Sequence, residues 1–169
     1  MQRRQFIIGM FAVVVPAVTI FPANLGETQE RDLPLGKSLD EWRTILGETS
    51  FSVLFEEATE RAFSSTLNSE DRKGTFVCKA CKTPLFSSST KYESGTGWPS
   101  FTKPLPGRVE TKTDRTLWMI RTEYHCSYCG GHQGHVFEDG PEPTGQRWCN
   151  NGAALQFVPT QTPVTVTTK

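Results

Sequence analysis

Two C-x2-C pairs, Cys78-Lys-Ala-Cys81 and Cys126-Ser-Tyr-Cys129, constrain this chain more than any other feature of its sequence. Each pair can set two thiolates on a tight knuckle whose backbone amides point at the sulfurs. Two knuckles complete a tetrahedral four-sulfur site of the closed kind that holds structural zinc. A pair of disulfides, a redox dithiol and an iron site are the alternatives for the same four residues. Zinc bound by four sulfurs has no open position for water, so its role would be to hold strand ends together. The glycines after Cys129 supply the backbone freedom that such a turn requires.

The chain around these cysteines has the texture of a small β domain. Its 169 residues suit one domain, and 14 glycines and 11 prolines favour a loop-rich, mainly β fold over a helical bundle. Eighteen basic residues balance eighteen acidic ones, which gives no support to nucleic-acid binding through a basic face. Short apolar or aromatic runs at 75–77, 117–120, 135–137 and 153–158 alternate with Gly and Pro turns, as antiparallel strands do. Upstream, SLDE at 38–41 is a capping box, with Ser38 as N-cap and Glu41 reaching back, so a helix starts there. Phe51, Leu54, Phe55 and Ala58 fall on one face and predict a second short helix over 51–61.

The ends are set apart from the domain. Arg3 and Arg4 precede an apolar run over 6–21, the layout of an export signal over residues 1–23. The RRQFI motif resembles a twin-arginine signal, which implies export to a bacterial periplasm; an uncleaved membrane anchor is the alternative. Residues 24–37 read as a polar linker, 38–158 as the folded domain and 159–169 as a flexible Thr-rich tail. Exported cysteines are usually read as disulfides. A route that carries already folded, metallated proteins reconciles export with a zinc clip.

Outside the clip stands Cys149, in GQRWCNNGAAL at 145–155. A lone cysteine is more often a buried small hydrophobe than a nucleophile. Here Arg147 offers positive charge that favours a thiolate, while Asn150 and Asn151 are unusual company for a core position. His132, His135 and Asp139 add candidate acid–base groups. Cysteine with histidine describes a thiol hydrolase as well as a redox enzyme, so these residues alone leave the reaction open.

Several blocks resemble the B-type methionine sulfoxide reductase family, the peptide-methionine (R)-S-oxide reductases. They are GTFVCKACKTPLFSSSTKYESGTGWPSF at 74–101, MIRTEYHCSYCGGHQGHVFEDGP at 119–141 and PTGQRWCNNGAAL at 143–155, and TERAFSS at 59–65 also fits. The resemblance implies two antiparallel sheets in a tent-like, zinc-stapled domain with short N-terminal helices. It implies Cys149 as the catalytic cysteine, with His132, His135 and Asn151 in the catalytic group. Trp98 would pack against the substrate's methyl group, and Arg147 and Asp139 would line the pocket. Cys78, Cys81, Cys126 and Cys129 would hold one zinc. Arg121 and Glu123 also match family positions; an ion pair buried in the sheet explains them equally well. A core aromatic is the alternative for Trp98. The implied activity is reduction of methionine-R-sulfoxide in oxidised proteins or peptides through a sulfenic acid on Cys149, by a monomer that a thioredoxin-like thiol regenerates. Many members carry a second cysteine just before GWPSF, where this chain has Thr96, so the implied type has one catalytic cysteine. The residue after Cys149 is Asn150, where the family usually has an aliphatic one.

Overall fold

A computed structural model describes residues 36–115 and 120–161. The proposed export signal, most of the linker and most of the tail lie outside them, as do residues 117–119 of the strand expected at 117–120. Among the described residues no helix is long and apolar enough to cross a membrane.

The capping box forms as the sequence dictates. Helix α1 (Leu39–Leu46) starts at Ser38, whose hydroxyl accepts from the Glu41 amide while the Glu41 carboxylate accepts from the Ser38 amide at 2.8 Å. Helix α2 (Glu48–Glu56) buries Phe51, Val53 and Leu54. It ends earlier than the apolar spacing predicts, because Glu57 takes a left-handed conformation (φ 57°). Beyond it the Glu60 amide donates to Asn151 Oδ1 at 3.0 Å. The Glu60 carboxylate accepts from the amides of Gly152 and Ala153. These ties straighten the chain and override the helical periodicity of 51–61.

The described strands form two antiparallel sheets. The smaller has the order β2 (Pro84–Ser87), β1 (Gly74–Cys78), β9 (Leu155–Pro159). The larger runs β3 (Lys91–Tyr92), β4 (Ser100–Phe101), β8 (Arg147–Asn150), β7 (His132–Phe137), β6 (Arg121–Cys126), β5 (Val109–Asp114). Residues 153 and 154, expected in a strand, instead belong to a short 3-10 turn at Gly152–Ala154 that leads into β9. Pro159, expected as the start of the tail, pairs with Gly74.

Aromatic rings fill the space between the sheets. Phe86 of the small sheet stacks on Phe101 of the large one at 4.1 Å, and Phe76 meets Phe101 edge-on at 5.0 Å. Tyr124 continues the stack to Trp148 at 5.0 Å. Phe76, Phe86, Phe101 and Tyr124 are fully buried, and burying one phenylalanine contributes on the order of 1.5–3 kcal/mol. Because strand side chains alternate, Trp148 facing this core turns Cys149 to the opposite face.

The ladder between β6 and β7 is irregular. Tyr124 pairs with Gly134 and His125 with His132, which leaves Gln133 as the extra residue of a β-bulge. In a regular strand, residues three apart point to opposite faces. The bulge adds one residue to the count and brings His132 and His135 to the same face, with ring centroids 5.5 Å apart.

Strands β7 and β8 approach closely at Gly134, where an added Cβ would stand 1.9 Å from the Cys149 carbonyl oxygen. Gly134→Ala is expected to lower stability by about 1–3 kcal/mol through forced backbone movement. Thermal unfolding of the variant checks this; an unchanged midpoint would contradict the packing described.

Candidate active site and metal centre

The two C-x2-C knuckles are built alike. The Cys78 and Cys126 amides donate to the carbonyls of Thr83 (2.9 Å) and Gly131 (3.0 Å). The Lys82 and Gly130 amides donate back to the carbonyls of Cys78 (2.9 Å) and Cys126 (2.8 Å). Lys82 and Gly130 both take positive φ, 63° and 68°. The first knuckle ends β1 and the second ends β6, so the four sulfurs meet where the two sheets join. All four Sγ atoms lie within 4.8 Å of one another, with Cys78–Cys129 at 3.6 Å and Cys81–Cys126 at 3.5 Å. Four sulfurs about 2.3 Å from one tetrahedral zinc would stand roughly 3.8 Å apart. The donor set and spacing therefore fit a metal bound by four thiolates, the chemistry expected from the sequence.

Cys149 lies elsewhere, on β8 in the middle of the large sheet. The registers place Ser100 of β4 and His135 of β7 directly across from it, and Glu123 of β6 across from His135. Opposed residues of antiparallel strands share a face, so one row crosses the sheet on the side away from the aromatic core. Cys149 borders a pocket of about 130 Å³ lined by Trp98, Phe137, Thr59, His135, Arg121 and Asn151, among others. A larger polar depression of about 650 Å³ around Asn68, Glu70 and Tyr92 contains no cysteine or histidine in its lining.

Trp98 is fixed from outside the sheet. Its indole N–H donates to the Glu60 carbonyl at 3.1 Å, and the Phe63 amide donates to the Gly97 carbonyl at 2.7 Å. Gly97 takes φ 90°, and a side chain there would collide with Phe63. The 59–65 segment thus braces the GWPSF loop. Trp98 walls the pocket and is no core aromatic.

The electrostatics give Cys149 a thiol at rest. Burial pushes its pKa up. The Arg147 charge and hydrogen bonds from Arg147 and Thr96 pull it down without prevailing, while Asp139 adds to the rise. The sign expected for Arg147 is right, and desolvation outweighs it. Arg147 is itself held by a two-pronged pair with Asp139, both contacts at 2.8 Å, and lies over the Phe137 ring at 4.3 Å. Thr96 joins a hydroxyl chain: its Oγ1 is 2.8 Å from Ser94 Oγ, which is 2.9 Å from Ser100 Oγ.

Both histidines are poised neutral. Burial lowers His132 to about 4. Its Nδ1 meets Glu123 Oε1 at 2.7 Å, while Nε2 is buried with no partner among the described residues. Burial also lowers His135, against the pull of Asp114, whose Oδ2 is 2.9 Å from His135 Nε2. Asp114 is a site residue that the sequence reading missed. It also pairs with Arg121 at 2.6 Å, and it reaches the site because β5 pairs with β6, with Asp114 opposite Arg121. Arg121 and Glu123 serve different partners: Glu123 holds His132 and, through Oε2, the Lys112 ammonium at 2.9 Å. Asn151 borders the pocket, yet its amide is committed to backbone, accepting from Glu60 N and donating to the Gln133 carbonyl at 3.1 Å.

Replacing Arg147 by Met keeps a stem over Phe137 and removes the cation. The Cys149 thiol should then titrate at higher pH than in the parent, and alkylation by iodoacetamide near neutral pH should slow several-fold. An unmoved profile would show that Arg147 does not act on the sulfur.

The SelR domain matches residues 46–159. The chain is 50% identical over 124 residues to a peptide methionine sulfoxide reductase MsrB of Leptospira interrogans, covering 73% of this chain and 95% of the relative. It is 47% identical to the MsrB of Bradyrhizobium diazoefficiens over 79% of this chain and 96% of that protein. The MsrB of Methanosarcina mazei is 50% identical over 72% of this chain and 87% of its own length. With the two sheets, the four-sulfur cluster and these relatives in hand, the chain belongs to the SelR-domain family, that of the MsrB methionine sulfoxide reductases.

Proposed function

We propose that this chain reduces methionine-R-sulfoxide in oxidised proteins or peptides, with Cys149 as nucleophile, and so repairs oxidative damage. The observation that carries the reading is the Cys149 thiol beside a small pocket that joins aromatic walls to a histidine on the adjacent strand. A sulfoxide carries a methyl group and a polar S–O bond. Trp98 and Phe137 suit the methyl, and His135 and Arg121 suit the oxygen.

In the proposed reaction, Cys149 Sγ attacks as its proton passes to the neutral His135 ring. Because His135 Nε2–H donates to Asp114, Nδ1 is the nitrogen that takes the proton, and the Asp114 carboxylate stabilises the resulting imidazolium. The proton then goes to the sulfoxide oxygen. Across the half-reaction the sulfoxide S–O bond breaks and an S–O bond to Cys149 forms. The substrate sulfur gains two electrons, Cys149 loses two, and the products are methionine and a sulfenic acid. His132, held by Glu123, can accept from a water beside that oxygen. Asn151 acts by position, tying the Glu60 segment, and with it Trp98, to β7.

Thr96 stands where many relatives carry a second cysteine, so an external thiol of the thioredoxin type returns Cys149 to the thiol, releasing the oxygen as water. The four remaining cysteines stay with one structural zinc. Residues 1–23 serve as a twin-arginine type export signal to the periplasm, a reading that rests on Arg3-Arg4 ahead of the apolar run. Residues 24–37 are the linker of this reading and 38–158 its monomeric catalytic domain.

The test is turnover of a methionine-R-sulfoxide peptide with dithiothreitol, run beside the S epimer and Cys149→Ser. Turnover of the R epimer alone, lost in the variant, is expected. Equal activity in Cys149→Ser would remove the cysteine from the mechanism. A folded, zinc-loaded protein inactive on both epimers would favour a binding module.

A further inference from the structure

Gln133 has an unusual position for an amide. It is the extra residue of the β7 bulge, and its side chain is fully buried at 0% exposure. Its Nε2 lies 3.6 Å from Cys78 Sγ and 3.3 Å from the Gly131 carbonyl, so the amide donates into the metal knuckles. Its Oε1 has no partner among the described residues. A buried carbonyl left unpaired costs free energy that an aliphatic side chain of similar size would not. Its main-chain carbonyl accepts from both the amide nitrogen (2.8 Å) and Nδ2 (3.1 Å) of Asn151, beside the pocket.

We propose that Gln133 is a positioning residue, the pin through which the four-cysteine metal site fixes the β7 bulge and hence the paired histidines. This rests on the reading that the cysteines hold zinc. Zinc on four thiolates bears a net negative charge, and an N–H donor to one sulfur disperses it and strengthens the metal's hold. The nearby Lys79 ammonium is turned to Ser50 Oγ at 2.7 Å. A bulge residue has no ladder partner on β6, so pairing alone does not hold it in place. Losing the bulge would send His132 and His135 to opposite faces of the sheet. The amide bond to Cys78 and the carbonyl bonds to Asn151 grip Gln133 from both sides.

The experiment compares full-length parent, Gln133→Leu and Gln133→Glu. It measures zinc per chain, the rate of zinc release to a chelator, the cadmium-113 resonances of the cadmium-substituted protein, and kcat/KM. Gln133→Leu removes the donor without adding a charge and should keep the thermal midpoint. Zinc release should quicken about tenfold and kcat/KM should fall by a similar factor. The cadmium resonance should move. In Gln133→Glu a carboxylate faces the thiolates, and release should be at least as fast. Parental zinc release and an unmoved cadmium resonance in Gln133→Leu would overturn the proposal. So would fast release with undiminished kcat/KM, because the histidines would then not depend on the pin. A parent chain that binds no zinc would overturn the metal reading itself and this proposal with it.

Discussion

The structure depends first on the meeting of four sulfurs at the join of two sheets. Cys78 and Cys81 extend from the small sheet, Cys126 and Cys129 from the large one. A metal bound there would staple a small domain of short strands, whose core alone supplies limited stability. The aromatic stack from Phe76 through Phe101 and Phe86 to Tyr124 then packs in the space between the strand ladders. The outer face of the large sheet is left to carry chemistry.

That face shows how one backbone irregularity organises a site. Cys149, His135 and Glu123 share a row by regular pairing, but His132 joins them only because Gln133 interrupts the ladder. Carboxylates hold the polar groups of this face: Asp114 meets His135, Glu123 meets His132 and Asp139 accepts from Arg147. Burial favours the neutral thiol and the neutral imidazoles, so no thiolate–imidazolium pair forms in the free site. Chemistry that moves one proton from sulfur to oxygen is well served by such a start.

Much of this was legible in the sequence because the signals are local. The capping box at Ser38 and the spacing of the C-x2-C pairs each act within a few residues, and both appear as read. The resemblance of residues 59–155 to a known family named Cys149, Trp98 and the histidines, and the structure brings Cys149, Trp98 and His135 to one pocket. What escaped the sequence reading is non-local. The end of α2 at Glu56 is set by bonds from Glu60 to residues 151–153, nearly a hundred residues away. Asp114 enters the site through the pairing of β5 with β6, and no motif around it announces a histidine partner. The Gln133 bulge could be suspected only from two site histidines lying an odd number apart on one strand.

In the proposed reaction Cys149 alone takes the oxygen from the substrate. The most direct measurement mixes the zinc-loaded protein, without any reductant, with excess methionine-R-sulfoxide peptide. It then counts the methionine formed and maps the oxidised residue by mass spectrometry after trapping with dimedone. One methionine per chain, a trapped sulfenic acid on Cys149 and zinc retained in full are expected. No methionine, or an internal disulfide formed with release of zinc, would contradict it.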